Sequence, residues 1–127
     1  MTRIVACGRW TAGRAEALVP LREAGFVVEV CGDGAGTLES VVRRVPDVLV
    51  YAAEGDDSWD AGTWSIVRRT CGSIPLVVVT ADGSVEERLR LAAVRPAYVA
   101  VDPIDPGELV QAIRELTAPR AGARPRR

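Results

Sequence analysis

A chain of 127 residues, 48% apolar and 26% charged with a formal net charge of −1, has one domain's worth of length and the composition of a soluble globular fold. Disorder throughout and a second folded domain are both excluded. Histidine and lysine are absent, which removes imidazole base catalysis, His-containing metal sites, Schiff-base chemistry and the phosphate-cradling lysine of a P-loop. No apolar run approaches the roughly 18 residues of a bilayer crossing, and Met1 leads straight into Ile4-Val5-Ala6-Cys7 rather than into a signal peptide, so a cytoplasmic location is expected. Cys7, Cys31 and Cys71 are odd in number and widely spaced; they read as small buried apolar residues rather than as a metal site or disulfide framework.

In chain order, short β-branched runs alternate with helix-length amphipathic segments, the pattern of five βα units around a parallel sheet. The first strand is Arg3–Cys7, followed by a helix over Ala12–Ala24 that Pro20 should kink or break and Gly25 should stop. The second strand, Phe26–Cys31, runs into Gly32-Asp33-Gly34-Ala35-Gly36. That segment lacks the third glycine of a phosphate-cradling GxGxxG at the right distance and follows the second strand, so it reads as a flexible turn before a helix over Gly36–Arg44. The third and fourth strands, Val48–Ala53 and Leu76–Thr80, are apolar on both faces and belong at the sheet centre. A helix over Ala61–Thr70 separates them. Ser84 and Asp105 are placed to cap helices over Val85–Val94 and Pro106–Leu116, with Glu87 and Glu108 at capping-box spacing, and Tyr98–Val101 supplies the fifth strand. In the last helix Leu109, Val110, Ile113 and Leu116 form one apolar stripe. Beyond it the composition changes: Thr117–Arg127 holds four of the 16 arginines and no acid, leaving 12 arginines against 17 acids in the body, a charge of −5 against +4 in the tail. The domain is therefore expected over 1–117, and 118–127 as a disordered basic tail or linker stub, whose contact with nucleic acid would be weak and salt-sensitive.

This succession resembles the receiver domain of bacterial response regulators over about residues 3 to 116. The stretches that carry the resemblance are Ile4-Val5-Ala6-Cys7, Glu23-Ala24-Gly25-Phe26, Pro46-Asp47-Val48-Leu49-Val50, Ile74-Pro75-Leu76-Val77-Val78-Val79-Thr80-Ala81 and Asp102-Pro103-Ile104-Asp105-Pro106-Gly107-Glu108-Leu109. The resemblance implies a flavodoxin-like (βα)5 three-layer sandwich with a five-stranded parallel sheet in the order 2-1-3-4-5. It also implies where a receiver's chemistry would stand: an acidic pair for Mg²⁺ after the first strand, a phosphate-accepting Asp ending the third, a Lys after the fifth. Those positions hold Gly8 and Arg9, Ala52, and Asp102. A hard cation needs oxygen ligands and phosphoryl transfer needs a nucleophile, so a pseudo-receiver is expected, without enzyme activity, cofactor or metal. The family's switch hydroxyl is kept as Thr80. Its fifth-strand aromatic position falls on Val99, with Tyr98 one residue early and so on the opposite sheet face.

Several features lie outside that pattern. Arg9 and Asp102 are expected either to pair across the vacated pocket or to point to water. Glu54, Asp56, Asp57 and Asp60 follow the third strand in a loop that reads as solvated surface, a cation site being the alternative. Trp10, Trp59 and Trp64 are expected near the carboxyl edge of the sheet, either as packing or as a pocket for a planar aromatic ligand. By resemblance, a protein partner or a second copy would dock on the face of the fourth helix, fifth strand and fifth helix, where Glu86, Arg90, Tyr98, Arg114 and Glu115 stand. The functional expectation is phosphorylation-independent signalling through protein contact. The alternatives are a small-molecule sensor and the N-terminal regulatory part of a transcription regulator, which would bind DNA only if a further domain follows.

Overall fold

The computed structural model describes residues 2–10, 12–53, 61–81 and 83–118, the side chains of 12, 13 and 61 excepted. Five parallel strands alternate with helices in the order β1 (Arg3–Gly8), α1 (Ala12–Ala15), α2 (Leu18–Glu23), β2 (Val27–Cys31), α3 (Gly34–Arg43), β3 (Val48–Ala53), α4 (Ala61–Cys71), β4 (Leu76–Thr80), α5 (Val85–Ala92), β5 (Tyr98–Val101) and α6 (Pro106–Thr117). The sheet order is β2-β1-β3-β4-β5, as expected for a flavodoxin-like sandwich. None of the described helices is long and apolar enough to cross a membrane. The basic tail from residue 119 onward lies outside the described residues.

The period of two along each strand sorts side chains into two cores. Val5 and Cys7 of β1, Leu49 and Tyr51 of β3, and Leu76 and Val78 of β4 face Val41 of α3, Trp64, Val67 and Cys71 of α4, and Leu91 of α5. Ile4 and Ala6, Val48 and Val50, and Val77 and Val79 face Leu18 and Leu21 of α2 and Leu109 and Ile113 of α6. Both central strands are buried at every position, which is why their sequences show no alternation. All three cysteines are buried free thiols of the first core, and burial raises each thiol pKa above its ordinary value, so they act as the small apolar residues the sequence suggested.

Two helices differ from the sequence reading. The single helix expected over Ala12–Ala24 is two, separated at Glu16 and Ala17, and Pro20 sits in the first turn of α2, where a missing N–H costs nothing. Gly25 ends α2 with φ +98°. In the glycine-rich segment, Gly34 already belongs to α3, because the Asp33 carboxylate accepts the Gly36 N–H at 2.6 Å and caps the helix. Ser84 and Asp105 cap α5 and α6 as expected, but the Glu87 and Glu108 carboxylates are engaged elsewhere in the molecule: Glu87 by Thr80 and Arg90, Glu108 by Tyr98.

Candidate functional site

The parallel register gathers the positions singled out by sequence at the carboxyl edge of the sheet. Gly8 pairs with Ala52, Ala53 with Thr80, and Thr80 with Val101. Two bonds carry the ladder one residue further: Arg9 N–H to the Ala52 carbonyl at 3.0 Å and Asp102 N–H to the Thr80 carbonyl at 2.8 Å. Gly8, Ala52 and Thr80 are buried, Asp102 is half-buried and Arg9 is exposed. Gly8 has φ +91°, and a Cβ there would lie 2.5 Å from the Ala52 carbonyl oxygen and 2.9 Å from the Tyr51 ring. Backbone and ring together hold this position to glycine.

The cation at this edge comes from α1, not from β1. Arg14, only 8% exposed, donates from Nη1 to the Ala53 carbonyl at 2.8 Å and from Nη2 to Asp102 Oδ2 at 3.2 Å. Asp102 therefore pairs with Arg14 and not with Arg9. One guanidinium satisfies both the end of β3 and the carboxylate after β5, since its donors form a rigid planar fork. Arg14 was readable in retrospect: Arg14, Ala17, Leu18 and Leu21 occupy one helical stripe, and all four are buried.

On the other side of the sheet, Glu87 of α5 is 6% exposed. Its Oε2 accepts from the Thr80 hydroxyl at 3.1 Å, and its Oε1 accepts from Arg90 Nε at 3.1 Å and from Arg90 Nη2. The Thr80 hydroxyl is thus bonded to α5. Tyr98 packs with the α2 and α6 core and donates to Glu108 Oε1 at 2.6 Å, while Val99 lies on the α5 side, confirming that the two residues face opposite ways. That bond raises the Tyr98 phenol pKa above its ordinary value, because the carboxylate holds the proton on the phenol.

Trp10 and Trp64 do not meet. Trp10 packs on the α2 and α6 side and donates Nε1–H to the Cys7 carbonyl at 2.8 Å. Trp64 packs on the opposite face, edge-on to Tyr51 with ring centroids 4.8 Å apart. Trp59 and the acidic loop of Glu54, Asp56, Asp57 and Asp60 lie outside the described residues.

Of the expected contact face, Glu86 and Arg90 stand on α5, Tyr98 on β5, and Arg114 and Glu115 on α6. Gln111 bonds Glu115 at 3.1 Å. What the sequence reading missed is an apolar patch between those charges. Val85 and Leu89, one turn apart on α5, are 70% and 71% exposed, and Val99 and Val101 of the edge strand are also open to solvent. Beside them Leu91, Ala92, Pro96, Val99 and Val101 line a groove of about 510 Å³ flanked by Arg88 and Arg95. Uncovered β-branched residues on an edge strand were the available signal.

The fold these elements define is that of the response regulator receivers. Over 91% of this chain and 98% of the other, it is similar to the chemotaxis protein CheY4 of Vibrio cholerae, with 21% identity and a TM-score of 0.77. It is similar to a response regulator protein of Burkholderia multivorans over 95% of this chain and 99% of that one, at 23% identity and TM-score 0.74. A third similar structure is the receiver domain of a Pseudomonas aeruginosa sensor histidine kinase, which carries a magnesium ion in its active-site cleft; the likeness covers 93% and 98% of the two chains at 15% identity and TM-score 0.79. No protein-family model and no curated protein sequence matches the chain.

Proposed function

We propose that this chain is a signalling module on a receiver fold that works without phosphorylation, through contact with protein. The observation that carries the reading is the inversion of charge at the carboxyl edge. Where the resemblance implies carboxylates around a cation and a lysine opposite, the chain has Gly8, Arg9 and Ala52, with a buried Arg14 guanidinium bonded to Ala53 and Asp102. Magnesium requires a cluster of oxygen donors. The described residues do not fit it: Gly8 has no space for a side chain, Ala52 has no donor, and the Asp102 carboxylate is held by a cation. The same positions lack a nucleophile for phosphoryl transfer.

The contact face in this reading is the one made by α5, β5 and α6. Val85, Leu89, Val99 and Val101 supply apolar area, and Glu86, Arg88, Arg90 and Arg95 a charged surround, the anatomy of a protein interface with an apolar centre and a polar rim. Incubation with acetyl phosphate and Mg²⁺ tests the chemistry: the intact mass should not change, and Ala52→Asp alone should also remain unmodified. An acid-labile phosphoryl gain on the unaltered chain, abolished by Glu54→Gln or Asp56→Asn, would overturn the proposal.

A further inference from the structure

The helix α3 gives part of its inward face to hydroxyl side chains. Its buried face carries Thr37, Ser40 and Val41, while Val42 is 67% exposed. The inward hydroxyls are all used: Thr37 donates to the Asp33 carbonyl at 2.8 Å, and Ser40 bonds Glu29 at 2.9 Å and Arg3 at 3.0 Å. Ala35 and Val42 are exposed on the outer side of the helix, Leu38 beside them is half-buried and packs partly against the first core, and Val45 is exposed just past the helix end. Next to this stripe Ala35, Leu38, Thr63, Ile66 and Val67 line a groove of about 350 Å³ between α3 and α4, and Ile66 is itself half exposed. Ala35 and Val42, with the outer edge of Leu38, thus leave an apolar stripe open among the described residues.

We infer that this stripe is the interface for a second copy of the chain, α3 packing antiparallel on α3 about a twofold axis near Ser40. Two features point to a copy rather than to a different protein. First, the stripe is symmetric in sequence: about residue 40, Leu38 maps onto Val42, and Ala35 onto Val45 just past the helix end, so a reversed copy meets apolar with apolar at the centre. Second, the flanking charges are self-complementary. Glu39 and Arg43 stand one turn apart beside Leu38 and Val42 and line the same outer cleft, and in an antiparallel pair each Glu39 comes within one turn of the other copy's Arg43. The Arg43 side chain is 63% exposed and its bond to Glu29 is long, 3.5 Å, so its guanidinium remains available. Self-complementarity of one patch is the condition for an isologous dimer. The interface uses neither α5 nor β5, and it stands whether or not the proposed signalling role holds.

Sedimentation equilibrium of the full chain over a concentration series tests it. The mass should rise toward twice that of the chain, and Val42→Glu should weaken the dimer at least about tenfold. Glu39→Arg and Arg43→Glu should each weaken it as well, and the two together should restore it, because the swapped chain is again complementary to itself. Leu89→Glu, on the α5 face, should leave it unchanged. A monomer at every concentration, a dimer indifferent to Val42→Glu, or a dimer lost with Leu89→Glu would overturn the inference. Circular dichroism checks the fold of each variant, and the charge-swap series decides the case should Val42→Glu unfold.

Discussion

Gly8 offers the sharpest quantitative check on the carboxyl edge. Its φ of +91° is a conformation in which an L side chain costs about 1–2 kcal/mol. Beyond that, an added Cβ would stand 2.5 Å from the Ala52 carbonyl oxygen. This oxygen accepts the Arg9 N–H at 3.0 Å and belongs to a fully buried central strand, so it has nowhere to retreat. Forcing extra volume into such a site costs about 1–3 kcal/mol, and Gly8→Ala should therefore destabilise the fold by about 2–5 kcal/mol. Gly25 supplies the control: its φ is +98°, but nothing lies within 4 Å of a Cβ built there, so Gly25→Ala should cost only the conformational part, about 1–2 kcal/mol. Urea denaturation at constant m-value reads both. Should Gly8→Ala prove no more destabilising than Gly25→Ala, the close approach of β1 to β3 would be refuted. With it would fall the conclusion that an acidic ligand cannot be restored at Gly8 without moving a central strand.

The other expectations concern the bonds around that edge. Arg14→Met keeps the stem but removes the guanidinium; breaking a buried pair costs about 3–5 kcal/mol, and because the Asp102 side chain is 32% exposed and water can take over part of its solvation, about 1–3 kcal/mol is expected. A double-mutant cycle with Asp102→Asn should give a clear coupling, and a coupling of zero would contradict the pair. Thr80→Val removes the hydroxyl bonded to Glu87 and should cost about 1–3 kcal/mol, measured by denaturation; a neutral substitution would show that the bond does not hold α5. For Tyr98, the raised pKa means that the folded state favours the neutral phenol, so the stability it contributes is complete below the ordinary tyrosine range and is lost as the pH rises through the raised value. Glu108→Gln should move the Tyr98 transition down toward that range in an ultraviolet titration taken as the difference from Tyr98→Phe, and an unmoved transition would exclude Glu108 as the cause.

Val48–Ala53 and Leu76–Thr80 were legible because they are central strands of a parallel sheet and read as unbroken apolar runs, which have few other uses; the edge strand Tyr98–Val101 also coincides with the observed strand. Helix starts were less so. Asp33 does not stand out as a cap because the glycines around it weigh toward a turn, yet its carboxylate reaches the Gly36 N–H and draws Gly34 and Ala35 into α3. At the candidate site the positions were legible and the partners were not. Sequence places Gly8, Ala52, Thr80 and Asp102 together at one edge and offers Arg9, which follows the strand directly, either as the cation there or as a side chain pointing to water. Arg14 wins because a residue on the inward stripe of α1 and α2 is carried to the sheet edge by the packing of Leu18 and Leu21, whereas Arg9 remains at the surface. Of the two readings of the tryptophans, a shared pocket does not hold for Trp10 and Trp64: nearness to one edge of a sheet does not fix which face a side chain takes, and these two take opposite ones.

Two buried charges on helix stripes, Arg14 and Glu87, end on the same edge of the sheet. Arg14 ties α1 to the ends of β3 and β5, and Glu87 ties α5 to the end of β4 through Thr80. Both attachments are made within the chain, so neither waits on a ligand. A ligand shifts a conformational equilibrium only by its different affinity for the two states, and with these groups already satisfied, an input must act where the helices are still uncommitted. Under the proposed reading, one such place is the outer side of α5. The helix that holds Glu87 inward presents Val85 and Leu89 outward, three-quarters uncovered or nearly so, one short helix separating a solvent-facing apolar pair from the Thr80 bond. A protein that covers Val85 and Leu89 gains by any displacement of α5 that improves its fit, and that displacement is opposed by the Glu87 bond to Thr80. Under the proposed reading, then, Thr80 and Glu87 set how much binding energy a partner must spend to move α5. Loosening them with Thr80→Val should raise partner affinity where docking needs the movement and leave it unchanged where it does not.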